Sequence, residues 1–173
     1  GSPAMNMLEA TLVKSNGGLA VEAGGQRLSI DQELISAQPA LKSYEGKKVV
    51  LGIRPEDLEE AAIAKDVPAD RRLRGKVELV EALGSEILAH FTIDAPPALT
   101  EDVKELALDV GDERAVKDAA EGSKQHTTIV GRFDPRAEVK EGEIAEVAVD
   151  TRGLHFFDPE TGLGIYDEAK KGA

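Results

Sequence analysis

Residues 75–93 read GKVELVEALGSEILAHFTI, and the choice of fold class turns on how they are read. Gly75 to Leu83 has the character of a strand, Gly84-Ser85 that of a turn, and Glu86 to Ile93 that of a returning strand. In the second arm Ile87, Ala89, Phe91 and Ile93 recur with period two, which places them on one face. The first arm carries a fault. Val77 and Leu79 are expected to share a face, yet Val80 is apolar as well, so the alternation slips. A slip of phase inside a strand marks a bulge or a sharp bend, and small closed barrels use such bends to turn corners.

Working toward the N-terminus, residues 8–13 (LEATLV) and 19–23 (LAVEA) alternate on either side of Asn16-Gly17, a pair that accepts positive φ at both positions and so predicts a two-residue hairpin. Gly24-Gly25 predicts a second turn and residues 26–30 a third strand. Asp31 to Ala40 reads as a helical turn or loop ended by Pro39. Lys48 to Ile53 is a strand apolar on both sides, hence central. Toward the C-terminus, Thr127–Phe133 and Ile144–Val149 read as strands, with Asp134-Pro135 and Glu141-Gly142 as turns, and the segment Leu154 to Gly162 follows, then Leu163 to Tyr166. Between the two halves Ala95-Pro96-Pro97 breaks the pattern, and Leu99, Val103, Leu106 and Val110 fall on one helical face behind Thr100, a suitable cap. The fold predicted is mainly β: an OB-like barrel over residues 8–167, with a helical insert at about 95–125, a linker at 1–7 and a polar tail at 168–173.

Composition narrows the function classes. Aromatics make up only 3% of the 173 residues, so the core has to be aliphatic. With no cysteine there is no disulfide, thiolate metal site or thiol nucleophile. A net charge of −12 repels a phosphate backbone, and the densest basic run, Arg71-Arg72-Arg74-Lys76, lacks interleaved aromatics and reads as a solvated strand entrance. Nucleic acid is therefore not an expected partner. No phosphate-binding loop and no G-x-S-x-G elbow are present. His90, His126 and His155 have no metal-ligand spacing. Adjacent carboxylates such as Glu56/Asp57 and Glu59/Glu60 lack the aromatic platform a sugar would stack on. The expectation is no catalytic, cofactor-binding or metal-binding residue in this sequence.

A family resemblance adds to this reading. Leu51-Gly52-Ile53-Arg54-Pro55-Glu56-Asp57-Leu58 resembles the GIRPE signature of the C-terminal regulatory domain, of the transport-associated OB type, in maltose-type sugar ABC importer ATPases. Gly75-Lys76-Val77 through Val80-Glu81-Ala82-Leu83-Gly84-Ser85-Glu86 resembles that family's strand and turn, and Gly131-Arg132-Phe133-Asp134-Pro135, Glu141-Gly142-Glu143, Leu154 to Asp158 and Thr161-Gly162 resemble its closing segments, in order. Gly1 to Met7 resembles the junction with the ATPase domain. The nucleotide-binding domain, which would hold ATP and magnesium, is absent from this sequence. The insert at 95–125 is longer and more acidic than the family pattern. The resemblance implies a non-catalytic regulatory and dimerisation domain of a carbohydrate importer's ATP-binding subunit. Its implied partners are a second copy, permease subunits reached through the missing domain, and a regulatory protein; its implied location is the cytoplasm, at the inner face of the cell membrane. An alternative is a barrel that senses an oxyanion or a sugar.

Three groups of residues are candidates for interface or corner roles. Arg54, Pro55 and Glu56 follow a buried strand directly. Pro55 fixes φ and forces a turn, while Arg54 and Glu56 offer charge-assisted bonds either within the corner or across a seam to a partner. Gly84, Ser85 and Glu86 form the hairpin tip. His155, Phe156, Phe157 and Asp158 include two adjacent phenylalanines, which in a strand point to opposite faces. One enters the core; the other finds a second apolar surface, on a partner or inside the same fold.

Overall fold

The computed structural model describes residues 3–98 and 125–165. Most of the insert expected at 95–125 lies outside the described residues, from Leu99 to Lys124, as do Gly1, Ser2 and the polar tail. The chain forms two five-stranded antiparallel sheets. The first contains β1 (Asn6–Ser15), β2 (Gly18–Ala23), β3 (Gln26–Ser29), β4 (Lys48–Ile53) and β10 (His155–Phe157), in the order β10-β4-β1-β2-β3. The second contains β5 (Leu58–Glu60), β6 (Arg72–Ala82), β7 (Ile87–Ile93), β8 (Thr127–Phe133) and β9 (Ile144–Val149), in the order β5-β9-β6-β7-β8. The mainly β class expected from the sequence is what the chain adopts.

Local sequence accounts for most of these boundaries. Asn16 and Gly17 have φ of 42° and 80°, the consecutive positive values that let a two-residue turn follow the twist of β1 and β2. From Val49 onward β4 is buried at every position, because it lies between β1 and β10 and both its faces are covered. Between β3 and β4 lie a short helix, α1 (Gln32–Ala37), and a 3₁₀ turn (Pro39–Tyr44). Pro39 therefore opens a second turn rather than ending the first, since its missing N–H is no loss at a first helical position. The three-residue β5 was not foreseen; it is too short to show a period.

The predicted bulge is present, with a consequence the alternation alone had reversed. Val77 pairs with Phe91 and Leu79 with His90, so Glu78 is the extra residue in β6. The bulge resets the phase: Val77 is in the core and Val80 packs against it, whereas Leu79 is turned outward and is 44% exposed. Val77 and Leu79 do not share a face.

Both sheets feed one aliphatic core. Leu8, Leu12, Leu51 and Ile53 from the first sheet meet Val77, Phe91, Ile129, Phe133 and Val147 from the second. Burying each such side chain stabilises the fold by about 1.5–3 kcal/mol before entropy is counted. Two side-chain amides join the sheets by standing in for strand partners. Asn6 Nδ2 donates to the Val130 carbonyl at 2.9 Å and to that of Ile53 at 3.0 Å, and the Val130 N–H donates back to Asn6 Oδ1 at 2.8 Å. Gln26 Nε2 donates to the Arg74 carbonyl at 2.8 Å, and the Arg74 N–H returns to Gln26 Oε1 at 2.7 Å. Asn6 thereby occupies the outer edge of β8, an edge that would otherwise offer unpaired backbone groups.

Candidate protein-docking surface

The corner after β4 is a 3₁₀ turn, Pro55–Asp57, with Pro55 buried at its start and the Asp57 N–H bonded to the Arg54 carbonyl at 3.0 Å. The Asp57 carbonyl accepts from the Asp150 N–H at 2.8 Å, which ties the corner to the 3₁₀ turn Thr151–Gly153. Rigidity here comes from the proline and the backbone of Asp57. The Arg54 and Glu56 side chains are exposed and form no hydrogen bond or ion pair with the described residues. The Asp57 carboxyl is half-buried against Gly153, where an added Cβ would stand 2.4 Å from Asp57 Oδ2. Burial pushes its pKa up, and the neighbouring Asp150 and Glu56 carboxylates push the same way.

The two phenylalanines divide as adjacent strand residues must. Phe156 is in the core. Phe157 lies on the opposite face of β10, stacked on His155 with ring centroids 6.5 Å apart. Gly52 is the floor beneath this face: it pairs with Met7 on β1 and His155 on β10. A Cβ there would stand 2.9 Å from Met5 Sδ and 3.1 Å from Phe157 Cε2. Met5 and Phe157 thus both lie over Gly52 on this face. Asp158 is held down in pKa by the Tyr44 hydroxyl, which donates to it at 2.6 Å, and then by backbone N–H groups of Thr161 and Glu160. It secures the loop after β10 to the 3₁₀ turn Pro39–Tyr44.

The hairpin tip is different in kind. Gly84 has φ of 85° and both it and Ser85 are exposed. Glu86 pairs with Arg132 on β8, which lifts the pKa of that guanidinium first through this hydrogen bond, with Glu56 adding to it from the corner. Behind the tip, register places Leu79, His90 and Val130 side by side on the outer face of the second sheet, and Glu81, Leu88 and Arg132 in the next row. Leu83 continues the row beyond β6 and is 52% exposed. The His90 ring and Glu81 are 2.6 Å apart. Sequence reasoning passed over Leu79, Leu83, Leu88, Arg132, Met5 and Met7. The slip of phase at Val80 was the available signal, since a bulge that turns Val80 inward has to turn Leu79 outward.

Elsewhere the charged groups serve the fold. Arg71 pairs with Asp31 at 3.1 Å, and Arg72 donates to the Val67 carbonyl and pairs with Glu146, so these two basic residues brace loops rather than stand solvated. A cleft of about 490 Å³ lies between the corner and the 151–153 turn. Its carboxylates, Glu56, Asp57, Glu59, Asp66 and Asp150, outnumber Arg71 and Arg152, and both guanidiniums are already paired. Among the described residues no group of three His, Asp or Glu side chains is arranged to hold a metal ion. No helix among them is long and apolar enough to cross a membrane.

Comparison with known proteins follows the same lines. Residues 1–58 match the family described as MalK OB fold domain, and residues 51–122 match the family described as TOBE domain. The chain is 32% identical over 167 residues to the trehalose/maltose import ATP-binding protein MalK of Thermococcus litoralis, covering 96% of this chain and 36% of that protein. It is 32% identical over 171 residues to the trehalose import ATP-binding protein SugC of Mycobacterium tuberculosis, covering 95% and 39%. It is 28% identical over 165 residues to the oligosaccharides import ATP-binding protein MsmX of Bacillus subtilis, covering 95% and 35%. The chain therefore spans little more than a third of the length of these curated relatives. Among solved structures, the molybdate-bound form of the cytoplasmic molybdate-binding protein ModG superposes with a TM-score of 0.50 at 15% identity, over 89% of this chain and 96% of that one. That likeness is one of fold.

Proposed function

From a chain that carries the MalK OB fold and TOBE domains of sugar ABC importer ATP-binding proteins, we infer a non-catalytic regulatory and dimerisation module. In this reading the chain serves an importer's ATP-binding subunit at the inner face of the cell membrane. ATP, magnesium and the permease subunits are engaged by the remainder of such a subunit, and this module holds two copies together and receives regulatory contacts.

The observation that supports the reading best is where the unspent chemistry lies. The interior is a closed aliphatic core shared by both sheets. Among the apolar and charged groups not consumed by that core, Leu79, Leu83, Glu81, His90, Glu86 and Arg132 are displayed together on an outer sheet face rather than gathered around a cleft. A face of this kind recognises another protein surface; turnover needs groups converging on a reacting atom.

The test is a pair of measurements on the whole chain. Sedimentation across a range of concentrations is expected to show reversible self-association, and calorimetric titration with magnesium–ATP is expected to show no binding heat. Saturable nucleotide binding, or a strict monomer at every concentration, overturns the reading.

A further inference from the structure

We propose that Met5 is a site of reversible oxidation, where a peroxide converts the thioether lying over Gly52 into a sulfoxide and loosens the outer face of the first sheet. The chain has no cysteine and two methionines, so Met5 and Met7 carry its only sulfur atoms. Both stand on one face. Register sets Met7 beside Gly52 and Gly52 beside His155, a row across three strands. Met5 Sδ and Phe157 Cε2 both approach the place where Gly52 lacks a side chain. Both methionines are half-buried, so a small oxidant in solution reaches them without unfolding the chain.

Gly52 is what seats the sulfur. A Cβ there would stand 2.9 Å from Met5 Sδ, 3.2 Å from Met5 Cε and 3.1 Å from Phe157 Cε2, so only a glycine leaves room for the thioether and the ring together. The backbone of Gly52 is paired on both edges of β4, which leaves this floor no donor for a new oxygen. A thioether suits such a seat because it is apolar and polarizable and packs well beside an aromatic ring. A sulfoxide does not, since its oxygen is a polar acceptor that has to turn toward water and carry the side chain off the glycine. Met5 is the site of consequence rather than Met7. Met7 is held in the ladder opposite Gly52, whereas Met5 precedes β1 and places its sulfur on the glycine.

The step balances with the peroxide alone. A lone pair on Met5 Sδ attacks one peroxide oxygen, and the S–O bond forms as the O–O bond breaks. The departing hydroxide takes the proton from the transferred oxygen and leaves as water. Sulfur is oxidised and the peroxide reduced, with no change in net charge. A dry patch on the surface thereby becomes a polar one in response to an oxidant, and a sulfoxide reductase reverses it.

Hydrogen peroxide treatment of the folded chain, followed by peptide mapping in a mass spectrometer, reads the site. Met5 is expected to gain one oxygen atom, and the oxidised chain to melt about 2–4 °C lower than the untreated one, until methionine sulfoxide reductase restores it. After peroxide, Met5→Leu should keep its melting temperature, while Met7→Leu should lose as much as the parent. Gly52→Ala, which crowds the sulfur off its seat, should oxidise at Met5 faster than the parent. A Met5 that stays unmodified in the folded chain while it oxidises in urea overturns the proposal. So does an oxidised parent that melts unchanged, or a Met5→Leu chain that loses as much as the parent.

Discussion

Asp57 is held half-buried with no hydrogen-bond donor to its carboxylate among the described residues, and Asp158 is held by a tyrosine hydroxyl and two backbone N–H groups. The two respond to acid in opposite senses. The folded pKa of Asp57 lies above its unfolded value near 3.8, chiefly through burial. Between those values the native state holds more protons than the unfolded one, so stability falls as pH rises through the window and the penalty persists at neutrality. Asp57→Asn is therefore expected to raise the melting temperature at neutral pH, with the gain fading as pH falls below the ordinary carboxylate range. The folded pKa of Asp158 is lowered, with the Tyr44 hydroxyl as the largest cause. Its contribution is present above the unfolded value and is lost as pH falls through the folded one. Tyr44→Phe is expected to melt lower than the parent at neutral pH, with the gap closing in acid. Melting curves of the three proteins at neutral and acid pH check both signs; an Asp57→Asn that melts lower than the parent at neutrality contradicts the first. At this scale the division of labour in Phe156-Phe157 was legible, because strand geometry forces it. The convergence of Met5 and Phe157 over Gly52 was not: they are remote in sequence, and only the pairing of β4 with both β1 and β10 brings them to one face.

Elements with strong local chemistry were legible for the same reason. Asn16-Gly17, Gly24-Gly25 and Gly84-Ser85 mark their turns because few other residues tolerate positive φ. β5 was not legible, since three residues carry no period and its pairing is with the distant β9. Within strands, two glycines separate close packing from rigid packing. At Gly131 in β8 an added Cβ would stand 2.6 Å from Phe133 Cε1 and 3.3 Å from Leu58 Cβ, both in fully buried side chains. At Gly52 in β4 the nearest atoms are Met5 Sδ and Phe157 Cε2, and the half-buried methionine is free to move aside. Gly131→Ala is thus expected to destabilise by about 2 kcal/mol and Gly52→Ala by less than about 1 kcal/mol. Urea unfolding at neutral pH measures both; equal costs would mean that the outer face around Gly52 is packed as rigidly as the core.

At the scale of the whole molecule the sequence held the strands but not their order. The interleaving of β10 beside β4, and of β9 between β5 and β6, joins segments remote in sequence and leaves no local mark. The same holds for the amides that close the structure. Nothing around Asn6 or Gln26 announces that each will imitate a strand for the opposite sheet. Their consequence is cooperative. If the shared core and the clamps make one unit, weakening either clamp lowers stability without exposing an intermediate. Asn6→Ala removes three hydrogen bonds, one of them buried, and leaves the Val130 N–H short of a partner, a loss of about 2 kcal/mol. Gln26→Ala removes two bonds at an exposed site, where water replaces them, a loss of about 0.5–1 kcal/mol. The clamps hold different strands, β8 and β6, and share no partner, so the double variant should lose the sum of the two within about 0.5 kcal/mol. The denaturant dependence should remain a single transition of unchanged slope. A second transition in Asn6→Ala, with one sheet melting ahead of the other, would show that the two sheets are separate bodies in contact and that the core they share does not bind them into one.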